Sequence, residues 1–179
     1  EMMKVVLEKC TRFITDYIKE YKKTGANGVV IAEPLAGLLS PALAQEFSGQ
    51  YIKKIVDAVQ DENFIVIYHN CGNSTVNIID TILATGSAAF HFGNSIDMGE
   101  MMKHIPGDKV AMGNIDPASQ FKNGTPASIT AAVNALMDKC GKYPNFLISS
   151  GCDIPPLSKW ENIDAFFKAV SDYYSAKSR

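Results

Sequence analysis

The chain has 179 residues, of which 46% are hydrophobic, and its 17 basic and 19 acidic residues give a net charge of −2. This composition is typical of a globular protein of about one domain, and it argues against disorder and against nucleic-acid or anionic-lipid binding through net charge. No apolar run approaches the ~18 residues that span a bilayer, so we expect no membrane partner. The N-terminus lacks a signal-peptide pattern, and four cysteines are too few for a secreted disulfide scaffold. We therefore expect a reducing, cytoplasmic location.

Helical and strand-like hydrophobic patterns alternate along the chain. Residues 3–21 carry apolar side chains at helical spacing, and residues 29–32 form a short apolar run that predicts the first strand. Ser40 and Pro41 predict an N-cap and a helix start, and the apolar face of this helix continues to Val59. The same unit then recurs, with strands predicted at 64–68, 88–92, 109–112 and 146–149 and helices at 75–84, 97–104, 127–139 and 162–174.

Short apolar strands separated by amphipathic helices predict βαβ units and a parallel sheet, so the fold class is α/β. No low-complexity linker or charge block divides the chain, and a single domain over residues 1–179 is expected. The first strand is followed by neither a GxGxxG fingerprint nor a P-loop, which disfavours nucleotide binding. Five units could form an open doubly wound sheet or the larger part of a (β/α)8 barrel, which needs eight strands and ~250 residues.

Polar residues cluster just after the predicted strands, where α/β proteins place their functional side chains. His69 and Cys71 are spaced H-x-C after the second strand, and Cys152 follows the fifth strand. Thiolate and imidazole ligands suit zinc, so these three residues are a candidate zinc site, although they could also be unrelated, with both cysteines buried. The remaining strand-end candidates are Glu33, Asn114, Asp116 and Asp153.

Three segments carry a resemblance to a known family. They are 68–75 (Tyr-His-Asn-Cys-Gly-Asn-Ser-Thr), 113–117 (Gly-Asn-Ile-Asp-Pro) and 150–156 (Ser-Gly-Cys-Asp-Ile-Pro-Pro). Together they resemble the uroporphyrinogen decarboxylase superfamily, and more narrowly its corrinoid-dependent methyltransferase branch. The resemblance covers the whole chain but only about the C-terminal half of the family pattern.

The resemblance implies a (β/α)8 TIM-barrel fold, of which this chain would carry about five βα units. It also implies a zinc enzyme that moves a methyl group from a methylated corrinoid, carried by a partner protein, to a thiol such as coenzyme M or to a related acceptor. His69, Cys71 and Cys152 match the metal motif of that branch one for one. Two thiolates would cancel the charge of the ion and favour thiol alkylation over hydrolysis.

The other candidates have less specific roles. Glu33 and Asp153 are candidate catalytic residues. Glu33 could fill the fourth zinc position at rest or be an ordinary strand-end carboxylate, and Asp153 could contact His69 or the metal or be solvated. Asn114 and Asp116 are expected either to line the mouth and bind the cofactor or to cap the next helix. His91 is interpreted as a core histidine, and Cys10 and Cys140 as structural cysteines.

Two rival functions stay open from the sequence. One is a uroporphyrinogen decarboxylase-like enzyme that acts on a tetrapyrrole. The other is a catalytically silent, truncated domain that binds zinc or a corrinoid protein. Five units cannot close an eight-stranded barrel, so we also expect open edges, low activity of this chain alone and self-association.

Overall fold

The computed structural model describes residues 1–177. The contacts of the chain divide it into two compact units, Glu1–His91 and Phe92–Arg179. The single domain expected over residues 1–179 stays a prediction. Among the described residues, no helix combines the length and the apolar character needed to cross a bilayer.

The first unit begins with helix α1, Met2–Lys23, and strand β1, Gly28–Ala32. A 3-10 turn at Pro34–Leu38 leads to α2 at Pro41–Ala44, a π-helical segment at Gln45–Gly49 and α3 at Gln50–Val59. Strand β2, Ile65–Asn70, is followed by a 3-10 turn at Thr75–Ile78, α4 at Ile79–Leu83 and strand β3 at Ala89–Phe92.

The core of the first unit lies between the helices and one face of its strands. Helix α1 packs on α3. Lys22 of α1 forms an ion pair with Asp61, which follows α3, and Lys54 of α3 forms an ion pair with Glu8 of α1. The buried side chains are mostly aliphatic and include Ile52, Ile55, Val56, Val59, Phe64, Val66, Tyr68, Ile78, Ile79 and Ile82. As expected for a strand with one covered face, Val66 and Tyr68 are buried whereas Ile65 is exposed.

The second unit contains α5 at Met98–Met101, β4 at Val110–Ile115, a π-helical segment at Pro117–Lys122, α6 at Pro126–Cys140, β5 at Phe146–Ser150 and α7 at Trp160–Lys177. Helices α6 and α7 pack on each other. The core is formed by Met98, Met101, Phe121, Ile129, Val133, Met137 and Phe166.

Within residues 1–177, five strands form one sheet in the order β1-β2-β3-β4-β5. Strand β1 pairs with β2 in parallel, and β4 pairs with β5 in parallel. A doubly wound sheet reverses its strand order at a switch point, whereas a (β/α) barrel keeps its strands in sequence order. The observed order therefore favours the barrel over the open sheet, and β1 and β5 are the two edge strands.

Candidate metal centre

His69 lies near the end of β2, opposite Ala32 of β1 in the parallel ladder. The side chain is 7% exposed. Its Nδ1 is 3.2 Å from the main-chain oxygen of His91 and 2.7 Å from Nδ1 of the His91 ring. When Nδ1 of a histidine donates to a carbonyl, Nε2 is left unprotonated and can ligate a metal. The contact with the His91 carbonyl is compatible with a tautomer of His69 that carries its proton on Nδ1.

His91 is the neighbour that the sequence did not reveal. It is half-buried in β3, and the two histidine rings lie 4.7 Å apart with a tilt of 38°. The sequence alone indicates a core residue, because the pattern Phe-His-Phe shows only that apolar side chains alternate with His91 along a strand. The pairing of β2 and β3 that brings the two rings together is a tertiary feature with no local signature.

Cys71 begins the turn after β2, and this turn is held by the side chain of Asn70. Asn70 is fully buried, and its Oδ1 accepts hydrogen bonds from the main-chain N–H of Gly72 at 2.9 Å and from Thr75 Oγ1 at 2.7 Å. Its Nδ2 donates to the main-chain oxygen of Glu33 at 2.6 Å. The half-buried Cys71 thus lies in a turn whose two ends are fixed.

Glu33 follows β1, and its carboxylate is engaged within the first unit. Oε2 accepts hydrogen bonds from Ser48 Oγ at 2.5 Å and from Tyr68 OH at 3.2 Å. Burial raises the pKa of Glu33, and these two hydrogen bonds act against that rise. Burial, followed by the nearby negative charge of Glu33, raises the pKa of Tyr68.

Tyr68 and His69 are consecutive in a strand, so their side chains point to opposite faces. Because Glu33 bonds to Tyr68, its carboxylate would have to give up both hydrogen bonds to reach the face that carries His69. The role of Glu33 as a resting fourth ligand stays a prediction.

Cys152 and Asp153 follow β5. The preceding Gly151 donates its N–H to the main-chain oxygen of Ile115 at 2.7 Å, which fixes the start of this turn at the end of β4. Cys152 is half-buried, whereas Asp153 is exposed. The predicted supporting role of Asp153 stays a prediction.

His69, Cys71 and Cys152 together form a group that could hold a metal ion. One ligand atom from each residue lies within 4.8 Å of the others. Tetrahedral zinc with ligands at about 2.0–2.3 Å places its ligand atoms roughly 3.5–3.8 Å apart, which is somewhat closer than the 4.8 Å within which these atoms lie. One imidazole and two thiols are also the donor types that zinc prefers.

Asn114 and Asp116 lie at and just after the end of β4 and line a cavity of about 290 Å³ in the second unit. Nδ2 of Asn114 donates to the main-chain oxygens of Gly93 and Ile96. Asp116 Oδ1 accepts from the N–H groups of Ala118 and Ser119, as an N-cap does. Both residues therefore have structural partners, and the predicted role in cofactor binding stays a prediction.

Comparison with known proteins identifies relatives of this chain. The family model described as "Uroporphyrinogen decarboxylase (URO-D)" matches residues 1–173. A uroporphyrinogen decarboxylase of Alcanivorax borkumensis is 29% identical over 176 residues, which cover 95% of this chain and 48% of that protein. A methylcobamide:CoM methyltransferase MtbA of Methanosarcina acetivorans is 26% identical over 175 residues, which cover 97% of this chain and 50% of that protein.

A solved structure described as a methyltransferase from Methanosarcina mazei superimposes with a TM-score of 0.80 at 21% sequence identity, covering 92% of this chain and 47% of that one. This likeness confirms the predicted fold class, a partial (β/α)8 barrel. The chain spans about half the length of the relatives it matches.

Proposed function

Because the chain belongs to the uroporphyrinogen decarboxylase family, we propose that it is the metal-binding, C-terminal part of a zinc-dependent methyltransferase. The enzyme would transfer a methyl group from a methylated corrinoid protein to a small thiol. The observation that carries the proposal is the group formed by His69, Cys71 and Cys152. One relative, MtbA of Methanosarcina acetivorans, is named as a methylcobamide:CoM methyltransferase.

The residues of the chain have separate parts in this chemistry. A free thiol titrates near ~8.5, and a bound zinc ion would keep a substrate thiol in its nucleophilic thiolate form at neutral pH. Cys71 and Cys152, as thiolates, would balance the positive charge at the site. His69 would contribute Nε2, because its Nδ1 faces the His91 carbonyl. Three protein ligands leave the fourth position for the substrate thiol, as a catalytic zinc site requires.

A decarboxylase-like function is the second candidate. The relatives named as uroporphyrinogen decarboxylases are 28–30% identical to this chain, against 26% for MtbA, so sequence identity does not favour methyl transfer. The donor set does favour it, because decarboxylation of a tetrapyrrole has no use for a thiolate-rich metal site. A catalytically silent domain that binds zinc or a corrinoid protein would also use this donor set.

A demethylation assay distinguishes these functions. The zinc-loaded chain is mixed with methylcobalamin and a small thiol, and methyl transfer is followed by the change in the cobalamin spectrum. We expect a slow, thiol-dependent reaction that Cys71→Ser and Cys152→Ser abolish and Cys10→Ser leaves unchanged. Release of carbon dioxide from uroporphyrinogen without added metal would instead support the decarboxylase. Zinc binding without either reaction would support the silent domain.

A further inference from the structure

Asn70 is a buried side chain between two of the proposed ligands, His69 and Cys71. It has 0% exposure, and a buried amide must find partners for its donors and acceptors. Its oxygen accepts from Gly72 N and Thr75 Oγ1, and its nitrogen donates to Glu33 O. One side chain therefore connects the end of β1, the end of β2 and the turn that carries Cys71.

The turn is also packed tightly against the segment that follows β1. A Cβ atom built on Gly72 would lie 3.0 Å from the Cα of Gly37, and one built on Gly37 would lie 2.9 Å from Asn70 Oδ1. Thr75 Oγ1 lies 2.7 Å from both Asn70 Oδ1 and Gly72 O, so its proton is shared between two acceptors. These contacts leave the main chain of the turn little freedom.

A cysteine has a single side-chain torsion before its sulfur, so the position of its Sγ follows from its main chain and one rotamer. Cys71 lies between Asn70, which is in the strand, and Gly72, which Asn70 holds. A metal site requires ligand positions within a few tenths of an ångström. We propose that Asn70, assisted by Thr75, is the positioning residue that fixes the Cys71 sulfur for metal binding. This inference rests on the proposed function, because it assumes that Cys71 is a ligand.

The test measures zinc affinity by competition with a chromogenic chelator, together with the visible spectrum of the Co²⁺-loaded protein. We expect Asn70→Ala to weaken zinc binding by about 10- to 100-fold, the range seen when partners of metal ligands are removed. The Co²⁺ spectrum should also change, because the thiolate geometry is altered. Thr75→Val keeps the shape of the side chain and removes one donor, and a smaller loss of affinity in the same direction is expected.

Asn162 provides the matched control. It is also 0% exposed, and its Nδ2 donates to the main-chain oxygens of Gln120, Phe121 and Gly124, a segment with no proposed ligand. Asn162→Ala should lower the free energy of unfolding as Asn70→Ala does but leave zinc affinity and the Co²⁺ spectrum unchanged. If Asn70→Ala does not fold, Thr75→Val carries the test.

The outcomes are distinct. Wild-type zinc affinity and an unchanged Co²⁺ spectrum in both Asn70→Ala and Thr75→Val would overturn the inference while leaving the metal site intact. An equal loss of affinity in Asn162→Ala would overturn it as well, because the effect would then be one of general stability. A wild-type protein that binds neither zinc nor Co²⁺ would overturn the proposed function and this inference with it.

Discussion

The four cysteines differ in their surroundings, and these differences predict their reactivity. Cys140 has 0% exposure, and burial raises its pKa. Cys10 lies on α1 and is exposed. Since the thiolate is the reactive form, iodoacetamide at neutral pH should modify Cys10 rapidly and Cys140 only after denaturation, as measured by peptide mass spectrometry. Rapid labelling of Cys140 in the folded protein would contradict the burial of its side chain at the end of α6.

A prediction about Gly72 follows from the tight packing of its turn. In Gly72→Ala, the new Cβ would lie 3.0 Å from Gly37 Cα and 3.1 Å from Asn70 Oδ1, so part of the turn must shift. We expect a loss of about 1–3 kcal/mol in the free energy of unfolding, measured by urea denaturation. Gly107→Ala is the control, because a Cβ there meets nothing within 4 Å. Equal stability of the two variants would contradict the packing described here.

The sequence predicted the three residues that form the candidate metal group, but it did not predict the side chains around them. His69, Cys71 and Cys152 were identified from the H-x-C spacing and the distant cysteine, because metal ligands have few residue types. Asn70, Thr75 and His91 were not identified, since buried hydrogen-bond partners depend on which segments meet in the fold. Cys10 lies on an apolar stripe and was interpreted as structural, yet the structure leaves it exposed.

The N-terminus of helix α6 is stabilised by side-chain hydrogen bonds. Helix α6 begins with a capping box in which Thr125 accepts from the N–H of Ser128 and Ser128 Oγ accepts from the N–H of Thr125. Thr125→Ala should lower the free energy of unfolding by about 1 kcal/mol. Thr130→Ala, inside the same helix, should change it by less, because alanine has the better helix propensity. A larger loss for Thr130→Ala in thermal or urea unfolding would contradict the capping assignment.

Hydrophobic periodicity predicted where the helices and strands lie. The helices, however, are less regular than predicted. The helix expected from Pro41 to Val59 is interrupted by the π-helical segment Gln45–Gly49. The helix expected at 97–104 is a regular α-helix only over Met98–Met101. Periodicity reports which residues face the core, but it does not distinguish an i→i+4 from an i→i+3 or i→i+5 hydrogen bond.

The two edge strands, β1 and β5, expose apolar side chains. Val30 of β1 is 60% exposed, and Leu147 of β5 is 53% exposed. Exposed apolar edges promote strand pairing between chains. We therefore expect concentration-dependent self-association in sedimentation experiments, which Val30→Lys should weaken. A wild-type chain that stays monomeric at about 100 µM would contradict this expectation.

The number of predicted strands indicated how much of an eight-stranded barrel this chain contains. Five strand-like runs indicated a partial barrel, and the chain covers 47–50% of the relatives compared above. For the methyl transfer proposed above, the acceptor and the corrinoid partner could not be predicted, because no local pattern of residues in this chain specifies a surface that would recognise them.

The most direct test of the proposed zinc site is the zinc content of the purified chain and of its four cysteine variants, measured by elemental analysis after expression with ample zinc. We expect about one zinc per chain in the wild type, in Cys10→Ser and in Cys140→Ser, and loss of that zinc in Cys71→Ser and Cys152→Ser. A wild-type chain without zinc, or undiminished zinc in Cys71→Ser and Cys152→Ser, would contradict the proposed site.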